Sequence, residues 1–480
     1  MTDTHADPLR WKALAVLGVA YLMVVLDVSI VNVALPSIQS DLGFSTADLQ
    51  WVVSGYALTF GGFLLLGGRM GDLLGRRTLF MVGLSLFLAT SLLAGLSTSS
   101  EMLIVARLLQ GAAGAILSPS VFSIVLVTFR EGAERNKALG ILGGIAGSGA
   151  AIGVLLGGVF TEYVGWQWIF FINIPIAAVA LALVPRYVRE SKAEGLMKHF
   201  DAWGAVTVTA SLVLLVFGLT QAERVGWGSL QTILVFASSI VLMAIFLAIE
   251  YRSRSPLVRL SIFRKRTLTG ANLVGLALGT MIFGMFFLLS LYMQQVLGYS
   301  AMKTGVAYLA VALTVVVSAT ISQGLVTRLG VKPVLTTGMT LIAIGLVYFA
   351  QVSPNGTYVG DLLPGFLLLG IGMGFSFVPI SIAALAGVEG PEAGLASGLI
   401  NTSQQIGGAL GLALLTTVAT TRTDNLLASG TPAPEALTSG FSVGFWVAAG
   451  FAVVGIILTL TVLRQRDIPA VTAEPVPVAG

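Results

Sequence analysis

The sequence has no cysteine and little charge: charged residues make up only 10% of its 480 positions. Without cysteine there are no disulfides, no thiolate metal sites and no thiol redox chemistry. A soluble domain carries about 25% charged residues. The scarcity of charge, together with 56% hydrophobic residues and a mean hydropathy of +0.93, places the chain in a membrane. The two histidines, His5 and His199, lie in hydrophilic segments and are assigned no role. No P-loop pattern or H-E-x-x-H occurs, which disfavours nucleotide-driven pumps and zinc proteases. No cofactor, metal or enzyme activity is expected. The net charge of +4 is not a nucleic-acid footprint, because its distribution follows loops rather than a surface patch.

Long apolar runs dominate. A run of about 20 apolar residues crosses a bilayer as a helix. Runs over 13–35, 49–68, 79–97, 102–128, 138–160, 168–185, 203–221, 229–249, 269–292, 304–325, 334–351, 359–385, 396–420 and 441–463 predict fourteen spans. The first is too long for the apolar core of a signal peptide and reads as a retained span. With the N-terminus inside, nearly all of the 26 Lys and Arg residues fall in inner segments. The outer loops hold only Arg224, Lys303 and Arg422, and Arg107 lies within a span. The positive-inside rule therefore puts both termini in the cytoplasm of a plasma (inner) membrane protein. The basic run Arg252 to Arg266 belongs to the same sorting.

Asp27 interrupts the first apolar run, Ala13 to Leu35. A carboxylate near the middle of a membrane helix costs roughly 2.5–3.5 kcal/mol, and desolvation disfavours its charged form. Such a group faces a fixed partner, a watery cavity, or a proton it binds and releases. The working expectation is a proton carrier. The alternative is a structural carboxylate neutralised for good.

Leu42-Gly43-Phe44-Ser45 after span one reappears as Leu297-Gly298-Tyr299-Ser300 after span nine. The same offset matches Gly75 with Gly330 and Arg77 with Lys332 in the next inner loop. Repeated halves are a mark of transporters. Residues 1–201 and 268–480 are thus expected to form two pseudo-symmetric six-helix halves, with an inserted helix pair and linker over 202–267. Asp27 falls opposite Ile282, and Arg107 opposite Leu362 or Leu367. Ion coupling is expected in the first half alone.

Several stretches carry a specific likeness. Leu26-Asp27-Val28-Ser29-Ile30-Val31-Asn32-Val33-Ala34-Leu35-Pro36 resembles the first-span signature of the fourteen-helix drug:proton antiporters of the major facilitator superfamily. Gly67-Gly68-Arg69-Met70-Gly71-Asp72-Leu73-Leu74-Gly75-Arg76-Arg77 resembles that family's loop motif between spans two and three. Arg107-Leu108-Leu109-Gln110-Gly111 resembles its span-four motif. Trp166 to Pro175 and Asp201-Ala202-Trp203-Gly204 are similar to the starts of spans six and seven. The span-five motif departs: Gly153 is followed by Val154, where the family places proline.

The resemblance implies an all-α membrane fold and export of small hydrophobic or cationic drugs against protons by alternating access. It also implies a functional monomer. Asp27 and Arg107 are the expected proton-coupling pair, since their depths differ by about 5 Å at 1.5 Å per residue. Gln110 shares the Arg107 face by its i+3 spacing. Asn32, Tyr56, Gln110, Phe283, Phe286, Phe287, Asn401 and Gln405 are the candidates for substrate contact. Gly68, Asp72, Gly75, Arg76 and Arg77 form the expected cytoplasmic latch, and Gly153, Gly157 and Gly158 the sliding surface of span five. Plain packing accounts for those glycines equally well, and lipid-facing aromatics look like pocket-lining ones. A proton-linked transporter of one metabolite, exported or taken up on the same fold, remains the second reading.

Overall fold

The computed structural model describes residues 9–129, 133–191, 201–253, 256–258, 260–386 and 390–463; the Asp72 side chain of the expected latch lies outside the described part. It is all-helical, with no strand among the described residues. The long helices are α1 (Arg10–Leu42), α2 (Trp51–Leu74), α3 (Arg76–Gly95), α4 (Ser100–Thr128), α5 (Ala133–Tyr163), α6 (Asn173–Tyr187) and α7 (Ala202–Val225). The remainder are α8 (Leu230–Arg252), α9 (Arg266–Leu291), α10 (Ala301–Leu329), α11 (Val331–Phe349), α12 (Leu363–Leu385), α13 (Gly390–Ala428) and α14 (Ala433–Thr461). Eleven helical stretches are long and apolar enough to cross a membrane. The other three expected spans fall on α5, α7 and α13. In the first two, the described apolar stretches are Ala151–Tyr163 and Trp203–Leu219.

Helix ends follow local chemistry. Gly43 closes α1 at φ 67°, and its repeat-mate Gly298 takes φ 64° after α9. Both conformations are left-handed and suit glycine. Ser45 accepts the backbone N–H of Asp48, and Ser300 that of Lys303. These are serine N-caps at matching positions of the repeat. Span six is helical from Trp168 to Tyr187, with Ile172 in helical conformation between the first turn, Trp168–Phe171, and α6.

Lipid is as apolar as leucine, so helices in a membrane associate through close packing and hydrogen bonds rather than hydrophobic burial. Gly153 lies against Ser29 and Gly157 against the Ile30 carbonyl, drawing α5 onto α1. Gly111 meets the Tyr56 carbonyl, drawing α4 onto α2. In the second part, Gly279 and Gly407 bring α9 and α13 into backbone contact, and Thr280 donates to Gly407 O at 3.0 Å. The α1–α6 helices pack mainly with one another, as do α9–α14.

Contacts between the two groups run through α5 with α10 and α2 with α13. Gly158 lies against Ala301 and Met302, and Gly305 against the Val154 carbonyl. Thr402 donates to Gly61 O at 3.2 Å. The α7–α8 pair stands outside. Ser211 and Ser239 each donate to the other's carbonyl at 2.8 Å to zip it together, and α7 packs on α2 and α13.

Candidate functional site

Asp27 and Arg107 meet in the interior, with Arg107 Nη1 2.6 Å from Asp27 Oδ2 and side-chain exposures of 1% and 0%. The site is assembled from five helices. From α4, Gln110 Nε2 donates to Asp27 Oδ1 at 2.8 Å, and Gln110 Oε1 accepts from Arg107 Nη1 at 2.7 Å. From the first residue of α6, Asn173 Nδ2 donates to the same Asp27 Oδ1 at 3.0 Å. Ser91 of α3 accepts from both amides, at 2.9 Å from Gln110 and 3.2 Å from Asn173. Arg107 Nε donates to the Val52 carbonyl of α2 at 2.8 Å.

The electrostatics follow from this arrangement. A buried charge is tolerated only when paired and hydrogen-bonded. Asp27 has three donors and Arg107 three acceptors. The guanidinium also lies 4.4 Å from the Tyr56 ring centroid and 5.6 Å from that of Phe170. Such cation–π contacts are worth about 2 kcal/mol when desolvated. Two buried oxygens at the site have no hydrogen-bond partner, Tyr56 Oη and Asn173 Oδ1. Asn173 and Ser91 were given no role by the sequence reading, although Asn173 sits inside the Trp166–Pro175 motif. An asparagine within an apolar helix start was the available signal.

The remaining candidates scatter. Asn32 turns back on its own helix, donating to Val28 O at 3.2 Å. Phe283 lies over Gly408, Phe286 sits 5.2 Å from the Tyr308 ring, and Phe287 is fully buried. Gln405 rests against Gly61. Asn401 borders a cavity of about 270 Å³ between α12 and α13, with Ser381, Ser397, Gln404 and Phe377 in its walls.

At the expected latch, Gly75 takes φ 110° at the α2–α3 turn, against the Glu190 carboxylate. Arg76 N–H donates to Ser191 O at 3.0 Å, and Gly68 packs on Pro119. Glu190 accepts from the backbone N–H groups of Arg77 and Thr78 at 3.1 and 3.0 Å, and from the Thr78 hydroxyl at 2.5 Å. It therefore caps the start of α3. Burial pushes its carboxyl up, but these bonds and one from Ser191 N–H outweigh that and hold it below the usual carboxylate range,.

On the opposite rim, Gln295 Nε2 donates to Gln39 Oε1 at 2.7 Å and Gln294 Nε2 to Val33 O at 2.9 Å. Met302 N–H donates to Glu162 Oε2 at 3.4 Å. Trp166 Nε1 donates to Asp41 Oδ2 at 2.7 Å, tying the turn before α6 to the end of α1.

Comparison with known proteins matches this arrangement. Residues 17–412 match the Major Facilitator Superfamily. The chain is 38% identical to the puromycin resistance protein pur8 of Streptomyces alboniger, over 95% of this chain and 91% of that protein. It is 37% identical to the cephamycin export protein CmcT of Amycolatopsis lactamdurans, over 96% and 94%. Among solved structures, the nucleoside transporter NupG superposes with a TM-score of 0.66 at 14% identity, covering 95% of this chain and all of that one. A bacterial homologue of the lysosomal transporter Spinster, inward-facing and unoccupied, gives 0.64 at 15%, covering 97% and 98%. Motifs, buried charge pair, helical architecture and relatives agree: the chain belongs to the Major Facilitator Superfamily of membrane transporters.

Proposed function

We propose that this chain is a proton-coupled exporter of antibiotic-like small molecules, working as a monomer by alternating access. It would sit in the plasma membrane with both termini cytoplasmic. Its fourteen long helices would form two six-helix units, α1–α6 and α9–α14, with α7–α8 inserted between them. The observation that carries the reading is the Asp27–Arg107 pair, sealed among neutral donors. A membrane carboxylate with so complete a shell is a functional group by default. Relatives named for puromycin resistance and cephamycin export support the direction and the class of cargo.

In this mechanism a proton from outside neutralises Asp27 and weakens its tie to Arg107, freeing α1 from α4. The interface between the units is then redistributed. The contacts of Gln39 with Gln295 and of Gln294 with Val33 lie at the outer ends of α1 and α9, and the cavity beside Asn401 lies towards the inner ends of α12 and α13. This combination supports an inward-facing arrangement, with the outer rim closed.

Proteoliposomes loaded with puromycin and given a pH gradient test the proposal. Efflux should follow the gradient, collapse with a protonophore and vanish in Asp27→Asn. Gradient-driven efflux that persists in Asp27→Asn sinks the coupling role. A resistance screen across chemically varied antibiotics then defines the cargo.

A further inference from the structure

Resting on the proton-carrier reading of Asp27, we infer that Asn173 is an amide switch that holds Asp27 in both of its protonation states. The observation is an imbalance in the buried network. Among the described residues Asp27 is met by donors alone: Arg107 Nη1 on Oδ2, and Gln110 Nε2 and Asn173 Nδ2 on Oδ1. That shell fits a carboxylate. Once protonated, Asp27 becomes a donor and needs an acceptor.

Two side-chain amides touch Asp27, and they differ in what they have spare. Gln110 Oε1 is engaged by Arg107 Nη1 at 2.7 Å. Asn173 Oδ1 is buried and has no partner, while Asn173 itself is 1% exposed. A buried acceptor left unmatched costs about 1–3 kcal/mol, so its retention asks for a state in which it is used.

A half-turn of the Asn173 amide about its soft terminal torsion exchanges Oδ1 and Nδ2. The oxygen then faces both groups that the nitrogen now contacts, Asp27 Oδ1 and Ser91 Oγ. The new O–H on Asp27 donates to it, and the Ser91 hydroxyl rotates to do the same. The proton arrives from outer water, forms one O–H bond at Asp27 Oδ1, and leaves by the reverse step to inner water. No other bond changes.

Arg107 keeps partners of its own throughout. Val52 O, Gln110 Oε1 and the Tyr56 ring hold it while Asp27 is neutral. Among the described residues, the charged or titratable groups facing Asp27 are Arg107 from α4 and, beyond it, the Tyr56 phenol from α2. The groups from α3 and α6, Ser91 and Asn173, are neutral. The pair Asp27–Asn173 can therefore change its hydrogen-bond sense without a second charge being moved.

Infrared difference spectra of the full chain in lipid vesicles, recorded between acid and alkaline pH, test this. The wild type should show an acid C=O band that Asp27→Asn removes. An amide C=O change should accompany it and move on ¹³C labelling of asparagine. Asn173→Ala should shift the acid band to higher frequency, as expected of a carboxylic acid that has lost its acceptor, and abolish the amide change. An Asp27 acid band that Asn173→Ala leaves unmoved, with no label-sensitive amide change beside it, overturns the switch while leaving proton binding in place. Absence of any Asp27-dependent acid band overturns the carrier reading and the switch with it. Should Asn173→Ala fail to fold, the label experiment on the wild type decides alone.

Discussion

Arg77 and Lys332 stand at matching positions of the internal repeat and make matching contacts. Arg77 Nη1 lies 3.4 Å from the Val188 carbonyl just past α6, and Lys332 Nζ lies 2.6 Å from the Leu460 carbonyl in the last turn of α14. The final carbonyls of a helix lack intrahelical partners and carry the negative end of its dipole. A cation at the start of α3 or α11 satisfies them. The same contact appears twice, once among α1–α6 and once among α9–α14.

Breaking the central pair from one side should cost far more than removing it whole. Arg107→Leu leaves the Asp27 carboxylate buried without its cation, a loss of about 3–5 kcal/mol. The double variant Asp27→Asn with Arg107→Leu removes both charges, and the melting temperature in detergent should recover most of the fall. A double variant no more stable than Arg107→Leu alone would mean that Arg107 contributes chiefly through Val52, Gln110 and Tyr56.

Glu190 predicts an acid-sensitive joint at the start of α3. Its carboxyl is held below the ordinary 4.5, so its stabilising effect is complete above that value and fades as pH falls through the lower, folded value. At neutral pH, Glu190→Gln should speed exchange at the Arg77 and Thr78 amides about five- to tenfold, the worth of one or two exposed hydrogen bonds. The difference between wild type and variant should vanish in acid. Equal protection at neutral pH would remove Glu190 from the joint.

How much of this was legible in the sequence depends on what each residue costs. Asp27 and Arg107 announce themselves because a charge in an apolar run is expensive, and Gln110 follows by helical spacing. Ser91 carries no such penalty, so nothing in α3 marks it until folding brings the helix to Asp27, and Asn173 shows only as a polar residue in an apolar helix start. The glycine-rich loop was visible as a joint, but Glu190 lay in the hydrophilic stretch after span six, where nothing pairs it with the start of α3.

The contact of α5 with α10 offers a steric test. Gly158 and Gly305 face one another's helices closely enough that an added Cβ would meet the Ala301 or Val154 carbonyls at 3.0 and 2.5 Å. Gly305→Leu should hold the outer rim apart. The expected result is a protein that binds antibiotic from outside but exports little, with the wild-type level restored by Gly305 alone. Normal export in Gly305→Leu would show that α5 and α10 have room to separate without consequence.

Gln39 and Gln295 provide the most direct test of the outer rim, because the chain contains no cysteine and any thiol cross-link must come from introduced pairs. Their side chains meet at 2.7 Å, so cysteines at both positions are within reach of a short bifunctional thiol reagent. Cross-linking should lock α1 to α9 and stop efflux, and a reductant-cleavable reagent should allow its return. Each single variant treated alike should keep transporting. If the double variant cross-links fully and still exports at the wild-type rate, the rim does not open between these helices, and the exit path lies elsewhere.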